Sequence, residues 1–425
     1  MNYQAIFTRI ISCIRSMLSS PAFLEQHRID AHFVRKRKLS MQHIIYYLLY
    51  TNKSAMHLNR TRICQDLSEI DFPSDVSKQA ISKARKGILP SLFHELFRLT
   101  VRSYYQMVDS RKTWNGYHLF AVDGSKLQLP NSKDIRSVFG SRFNTSDPTQ
   151  VYSLALCSTL YDVLEDIIVD ASIYPDLSSE RNAVYEHLNA TLDLDIFHNS
   201  ILIFDRGYYS AQIYCDFYNR GLLCLMRVKE SLKITRSDSD DSIQFIKDPV
   251  SGLDVPVRVI RVVLDSGTVE YLVTNVFDPS ITPEMFKQLY FFRWKIESKY
   301  NELKNQWGLE EFSGSASLSV MQDLFINMMY SNLSSIVKKD ADIRIANSSR
   351  PDNKFAYQAN RAFIIGEIKY LLPRMLCGSF RKWMVTDLFL SAAKVKSQIQ
   401  PGRKYKRCKK KDNLWTHFNH RKTVL

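Results

Sequence analysis

Two short apolar runs that each end in an aspartate constrain the fold of this chain more than any other feature. The run HLFAV precedes Asp123 and the run SILIF precedes Asp205, and a small or turn-forming residue follows soon after each aspartate. Such runs predict buried strands, and the carboxyl ends of strands in an open α/β sheet face the crevice where ligands bind. We therefore expect an α/β fold with both carboxylates beside a site, although one such aspartate alone is more often a turn former or helix cap.

A third acidic residue lies in the helical run that begins at Pro283. Tyr290, Arg293, Glu297 and Lys304 follow one another at spacings of 3, 4 and 7 residues. These spacings place all four side chains on one face of a single helix. A polar and aromatic face of this kind favours a helix that lines a site, and the alternative is a solvated face of ion pairs.

The three carboxylates predict a metal site without sulfur or imidazole ligands. Asp123, Asp205 and Glu297 have no Cys or His cluster near them in the sequence, so they suit Mg²⁺ or Mn²⁺. Two such ions about 3.5–4 Å apart are a common arrangement for displacement at a phosphodiester.

The charge of the chain is concentrated at its two ends. Residues 1–110 carry 16 basic and 8 acidic side chains, and residues 401–425 carry 9 and 1. The 290 residues between them are nearly balanced, although the whole 425-residue chain has a net charge of +15. This pattern favours a polyanionic partner, with nucleic acid ahead of an anionic membrane. The tail 401–425 interleaves Tyr405, Trp415 and Phe418 with cations, so we expect phosphate contacts from it, the alternative being a solubilising tail.

Other features exclude several classes of protein. The longest uncharged stretches reach about 14 residues, which is short of the ~18 that a membrane span requires. The first residues, MNYQAIFTRIISCIRSM, have arginines within the apolar pattern and predict an amphipathic helix, not a signal peptide. Seven scattered cysteines without C-x-x-C spacing predict a reduced, cytoplasmic protein.

The N-terminal segment is predicted to be helical and to contain a DNA-reading helix. A helical stripe over 57–70 is followed by a Pro/Ser/Asp break, an N-cap at Ser77 and a second helix. Helix, short turn and second helix are the plan of a helix-turn-helix motif. The alternative is an ordinary helical scaffold. The polar face of the second helix carries Lys78, Gln79, Ser82, Lys83 and Lys86.

Together these motifs resemble a known family. The segments VDGSKL, IFDRGYYS and YFFRWKIESKYNELK, with SKQAISKARKGI before them, are similar to the DDE insertion-sequence transposases. The resemblance is to the group with the Y-x₂-R-x₃-E-x₆-K signature, called the "IS-four" family, and it covers roughly residues 75–335.

The resemblance implies a domain organisation. It implies an α/β protein with a ribonuclease-H-like catalytic core, interrupted by a β-rich insertion, between helical regions. The expected parts are a helical DNA-binding domain with the helix-turn-helix (1–115), the core (116–221 and 283–345), the insertion (222–282), a helical C-terminal region (346–400) and the basic tail (401–425).

The resemblance also implies an activity. The protein would bind the terminal inverted repeats of its element as a homodimer, cleave the ends with two Mg²⁺ (or Mn²⁺) held by Asp123, Asp205 and Glu297, and join the 3′-hydroxyls to target DNA. Further contacts with DNA are expected from Tyr290, Arg293, Lys304, Arg206, Tyr208 and Lys126. A core position remained the alternative for Tyr208, and Trp294 is expected to pack in the core.

Two other functions remain open from the sequence. One is a DNA-binding relative without catalysis, and the other is a host nuclease with a ribonuclease-H-like core. Nothing in the sequence favours the first, because all three carboxylates and the residues of the Tyr/Arg/Glu/Lys signature are present. Inverted repeats in the DNA that flanks the gene would distinguish a transposase from the second.

Overall fold

The computed structural model describes residues 2–50, 56–143, 149, 151–237, 239–378 and 380–400. The predicted basic tail lies outside these residues. The α-helices are α1 (Tyr3–Leu18), α2 (Pro21–Gln26), α3 (Met41–Leu49), α4 (Met56–Asp66), α5 (Lys78–Arg85), α6 (Ser91–Met107), α7 (Lys133–Phe139), α8 (Glu180–Ala190), α9 (Ala211–Asn219), α10 (Pro283–Phe291), α11 (Trp294–Asn305), α12 (Ser317–Asn347), α13 (Arg361–Cys377) and α14 (Lys382–Lys394). The strands are β1 (His118–Leu129), β2 (Arg142–Phe143), β3 (Val151–Asp162), β4 (Ile167–Pro175), β5 (Ser200–Phe204), β6 (Leu223–Val228), β7 (Asp241–Lys247), β8 (Asp254–Val263), β9 (Val269–Thr274), β10 (Tyr357–Ala359) and β11 (Lys396–Gln398).

The chain divides into two compact units. The sheet unit comprises Ser110–Lys126 and Leu156–Asn301. The helical unit comprises the described residues of 1–109, 127–155 and 302–400. The division falls within β1, β3 and α11.

The helical unit is built around α12, which has 31 residues. Helices α1, α6, α13 and α14 pack against it. Leu324, Met328, Leu333 and Ile336 of α12 are all 0% exposed. A helix that buries residues around most of its circumference is a core helix and not an amphipathic surface helix.

The sheet unit is built on a mixed sheet in which β3, β1, β5, β6, β9, β8 and β7 stand in that order, and β4 also pairs with β3. Strands β1, β5 and β6 run parallel to one another, whereas β6, β9, β8 and β7 pair in antiparallel fashion. Every residue of β5 is buried, as expected for a parallel strand covered on both faces. The expectation of an α/β fold is therefore confirmed at the level of class.

The segment 222–282 continues this sheet. Its four strands, β6 to β9, extend the sheet from β5 outward, because β6 pairs with β5 and β9 pairs with β6. The prediction of strands here is confirmed, while the sequence could not indicate that they share a sheet with β1 and β5.

Two local predictions differ from the structure. The single helix expected from residue 284 onward is two helices, α10 and α11, because Phe292 and Arg293 close i→i+3 hydrogen bonds at 3.1 and 3.0 Å. Such bonds form a tighter turn than an α-helix. In the N-terminal segment, residues 67–77 connect α4 to α5, which is longer than the three- to four-residue turn of a helix-turn-helix.

Within the described part of the chain, no helix combines the length and the apolar character that crossing a membrane requires.

Candidate active site

Asp123 and Asp205 lie at equivalent positions on two adjacent parallel strands. The last paired residues of β1 and β5 are Ala121 and Ile203, and each aspartate comes two residues further along its own strand direction. Adjacent strands lie about 4.8 Å apart. The register therefore brings together two carboxylates that are 82 residues apart in the sequence.

The sequence predicted that Asp123 stands at the end of its strand, and the structure differs. Strand β1 continues to Leu129, since the Asp-Gly-Ser segment stays extended and does not turn. Burial, together with the charges of Glu297 and Asp205, raises the pKa of Asp123 to about 7, against the opposing effects of the Gly124 N–H and Arg293. The Gly124 N–H donates a hydrogen bond of 2.9 Å to the Asp123 carboxylate. This carboxylate is thus in a setting that disfavours its negative charge until a cation arrives.

Asp205 follows β5 directly and is held in its ionised form. Burial alone would raise its pKa, but the N–H of Arg206, the hydroxyl of Tyr290 and the cations Arg293 and Arg227 hold the pKa of Asp205 below its usual value. Tyr290 donates to the carboxylate at 3.0 Å. Arg227 lies 3.9 Å from the same oxygen and 3.0 Å from Glu270.

Glu297 lies in the first turn of α11 and forms an ion pair with Arg293. The guanidinium is 2.8 Å from the Glu297 carboxylate, and the Arg293 side chain is 3% exposed. Its guanidinium also lies 5.5 Å from the ring centre of Tyr290 and 4.7 Å from that of Trp294. The positive charge of Arg293 also acts to lower the pKa values of Asp123 and Asp205. One buried cation therefore stabilises the negative charge of all three carboxylates.

Tyr300 fixes α11 to the strands that carry the site, a role that no sequence motif indicated. Its hydroxyl accepts a hydrogen bond of 3.1 Å from Thr159 and lies 3.0 Å from the Asp123 carbonyl and 2.9 Å from the Cys157 carbonyl. Tyr300 comes three residues after Glu297, so the contact sets the position of the helix turn that carries Glu297. The only sequence signal is an aromatic residue at helical spacing, which is common in any core.

The chemistry of these residues fits a hard divalent cation. The available donors are carboxylate oxygens, which Mg²⁺ and Mn²⁺ prefer. Among the described residues, no three His, Cys, Asp or Glu side chains are grouped closely enough to hold a metal ion. Glu297 is turned to Arg293, so the expected three-carboxylate set is not assembled here in metal-binding geometry.

The family of the transposase DDE domain matches residues 114–333, which is more than half of the chain. The chain belongs to this family. The matched segment contains Asp123, Asp205 and Glu297, and the family consists of enzymes that cleave and transfer DNA. The expectation of a DNA transposase is confirmed at this level.

Solved structures and curated proteins give two separate comparisons. The structure is similar to "piggyBac transposase synaptic complex with hairpin DNA", at 10% sequence identity and a TM-score of 0.47, over 91% of this chain and 83% of that one. None of the curated proteins matches the chain in sequence.

The other residues predicted for the transposase site differ in exposure. Arg206 is exposed beside Asp205. Lys126 lies 3.1 Å from Asp176, so it forms an ion pair. Tyr208 is 1% exposed and packs against Phe204, as the alternative of a core position has it. Trp294, expected in the core, is 38% exposed.

The remaining predicted DNA contacts lie in the helical unit. Lys304 is in the last turn of α11, where it lies 3.7 Å from Glu310. The five polar residues predicted on the outer face of the second N-terminal helix are all exposed, namely Lys78, Gln79, Ser82, Lys83 and Lys86.

Proposed function

We propose that the protein is an insertion-sequence DDE transposase of the Y-x₂-R-x₃-E-x₆-K group. It binds the terminal inverted repeats of its element, cleaves the ends by metal-dependent hydrolysis and transfers the 3′-hydroxyls to target DNA by a cut-and-paste route. The single observation that carries this proposal is that strand register joins Asp123 to Asp205, while the Tyr300 bond to the Asp123 carbonyl brings in the helix that carries Glu297.

The strand order supports a ribonuclease-H-like core within the sheet. Strands β3, β1, β5 and β6 stand in that order, and β4 pairs with β3. Strand β1 therefore has β3 on one side and the parallel strands β5 and β6 on the other. In this proposal the first aspartate lies on the central strand and the second follows its parallel neighbour.

The roles of the site residues follow from their contacts. Asp123, Asp205 and Glu297 would hold two Mg²⁺, which supply a stronger oxygen nucleophile and stabilise the leaving oxygen. Tyr290 orients the Asp205 carboxylate through its hydrogen bond, and Arg227 adds positive charge beside the same oxygen. Arg293 holds Glu297 by an ion pair that must loosen before this carboxylate serves as a ligand.

The DNA-binding surfaces are proposed from exposure and charge. Arg206 adjoins Asp205 and is exposed, so it is suited to grip a phosphate near the cleavage site. The exposed face of α5 reads the repeat, the basic tail adds phosphate contacts, and two copies act together on paired ends. The site of action is the nucleoid in the cytoplasm.

A cleavage assay tests this function. Linear DNA that carries the inverted repeats flanking the gene is incubated with the full chain and Mg²⁺, and nicks are mapped by denaturing gel. We expect cuts at the repeat ends only, and none when EDTA is present. Binding without cuts in Mg²⁺ or Mn²⁺ would identify a silent relative, and cuts in branched or hybrid substrates without repeats would identify a nuclease.

A further inference from the structure

Three consecutive cations, Arg35, Lys36 and Arg37, form a basic cluster in the irregular segment between α2 and α3 of the helical unit. All three side chains are exposed. None of them has an ion pair or a side-chain hydrogen bond with another described residue. Exposed cations without an acidic partner are available to bind an anion.

The chain before the basic cluster is attached to the chain that follows α5. The Ile29 N–H donates a hydrogen bond to the Gly87 carbonyl at 3.0 Å, and the Leu89 N–H donates one to the His27 carbonyl at 2.9 Å. A Cβ atom built on Gly87 would stand 2.6 Å from the Cβ atom of His32. Real Cβ atoms essentially never approach so closely, so the glycine allows this segment to pack directly against the end of α5.

The residue after the basic cluster is attached at the other end of α5. Lys38 forms an ion pair with Asp75, which lies three residues before the first residue of α5. An extended chain covers at most about 3.6 Å per residue, so the Cα atom of each residue in the cluster lies within about 11 Å of that of His32 or Lys38. The basic cluster therefore lies beside α5, between two segments that flank this helix.

The basic cluster also lines a groove with a volume of about 430 Å³. The lining includes one further cation, Arg28, and this residue forms an ion pair with Glu25, which lines the same groove. The lining thus has an excess of positive charge. A concave surface with charges of one sign concentrates its electrostatic potential, which favours a polyanion such as the phosphate backbone of DNA.

We propose that Arg35, Lys36 and Arg37 bind phosphates of the duplex that α5 reads, within one helical turn of the contacts of α5. This inference rests on the proposed function, because it extends the DNA-binding surface of the helical unit. Helix α5 has 8 residues and is about 12 Å long, whereas one turn of the duplex spans about 34 Å. Because the cluster is attached on both sides, little additional ordering accompanies the binding of DNA.

Fluorescence anisotropy with the full chain tests this inference. Two duplexes of equal length are titrated at several salt concentrations, one with the inverted repeat that flanks the gene and one with the same bases in shuffled order. The cluster variant carries Arg35→Ala, Lys36→Ala and Arg37→Ala. The matched control removes two arginines and one lysine that are exposed elsewhere in the helical unit, by Arg350→Ala, Lys354→Ala and Arg381→Ala. Thermal melting verifies that each variant is folded.

We expect the cluster variant to reduce the slope of log K against log[salt] by about 2 to 3, because each lost phosphate contact contributes about 0.9. The reduction should be equal for both duplexes, since phosphate contacts carry no sequence information. The control should keep the wild-type slope. An unchanged slope in the cluster variant, or equal reductions in the two variants, would refute the inference while the proposed function stands.

The wild type separates the inference from the proposed function. Equal affinity of the wild type for the two duplexes would refute recognition of the repeats, whereas the slope of the cluster variant would still decide whether the cluster contacts phosphates. Absence of binding to either duplex would refute both.

Ethylation interference on the repeat-end duplex tests the position of the contacts. Some phosphates should block binding of the wild type when ethylated, but no longer affect the cluster variant. We expect these phosphates to lie within about 10 base pairs of those that Lys78→Ala and Lys83→Ala together release from α5. A larger separation would show that the cluster does not bind beside α5 and would overturn the proposal.

Discussion

At the scale of single residues, the hydroxyl of Tyr290 makes a direct contact with a carboxylate of the proposed active site. It donates to Asp205 at 3.0 Å from a side chain that is 5% exposed. Hydrogen bonds from such partners orient a ligand and stabilise its ionised form. Tyr290 thus connects α10 to the carboxylate at the end of β5.

Tyr290→Phe should therefore slow end cleavage by about 10- to 100-fold while end binding stays within twofold. The ring keeps its packing and only the donor is removed. Cleavage rates and gel shifts measure the two effects. Tyr174→Phe is the control, because it removes a similar bond, from Tyr174 to Glu186, outside the site. Equal rates for Tyr290→Phe and the control would contradict the assigned role.

The sequence identifies candidate site residues, whereas their surroundings come from the fold. Asp123 and Asp205 could be found because a buried strand that ends near a carboxylate is a local pattern. The turn at Arg293 could not, since its i→i+3 hydrogen bonds fall in a run without Gly or Pro, the residues that usually mark the end of a helix.

At the scale of elements, α5 is fixed to the helical unit by one buried arginine. Arg85 lies 2.7 Å from Asp323 of α12, and their side chains are 5% and 4% exposed. It also donates to Gln322 and Ser313. These contacts hold the inner face of the proposed reading helix while its cations remain exposed.

Arg85→Met should lower the free energy of unfolding of the helical unit by about 3–5 kcal/mol, because it leaves Asp323 buried without its cation. Urea unfolding followed by circular dichroism measures the change. Arg344→Met is the control, since Arg344 is 43% exposed and pairs with the half-buried Asp340 one turn earlier on the same helix, a kind of pair that contributes about 0–1 kcal/mol. Similar decreases in both variants would contradict the anchoring role.

The exposed face of α5 leads to a prediction about DNA. Replacement of Lys78 and Lys83 by alanine should reduce the slope of log K against log[salt] by about 0.9 for each phosphate that the variant no longer neutralises. Fluorescence anisotropy with repeat-end DNA at several salt concentrations measures this slope. Lys247→Ala is the control, because Lys247 is exposed on β7 and pairs with Asp254 in the sheet unit. An unchanged slope in the double variant would show that these lysines of α5 do not contact DNA phosphates.

At the scale of the whole molecule, the distribution of charge agrees with the proposal that the two ends of the chain bind DNA and the central residues cleave it. The basic residues are in excess at 1–110 and 401–425, while the central residues supply the carboxylates of the site. A nearly balanced centre is suited to a polyanion once divalent cations occupy the carboxylates. The order of β1, β5 and β6 was beyond sequence reasoning, because pairing between distant strands leaves no local pattern.

The basic tail should contribute affinity without sequence preference. Deletion of 401–425 is expected to flatten the salt dependence of binding equally for repeat-end and unrelated DNA, since phosphate contacts carry no sequence information. Anisotropy titrations with both DNAs measure this effect. A slope equal to that of the full chain would show that the tail does not contact phosphates.

The central claim is that the converging carboxylates cleave DNA. The most direct measurement is Mg²⁺-dependent nicking of repeat-end DNA by Asp205→Asn, with end binding measured on the same preparation. Asp166→Asn is the matched control, because Asp166 is an aspartate of the same unit that pairs with Lys299 at 2.6 Å. We predict loss of nicking with binding retained in Asp205→Asn, and wild-type nicking in the control. Undiminished nicking by Asp205→Asn would contradict the account.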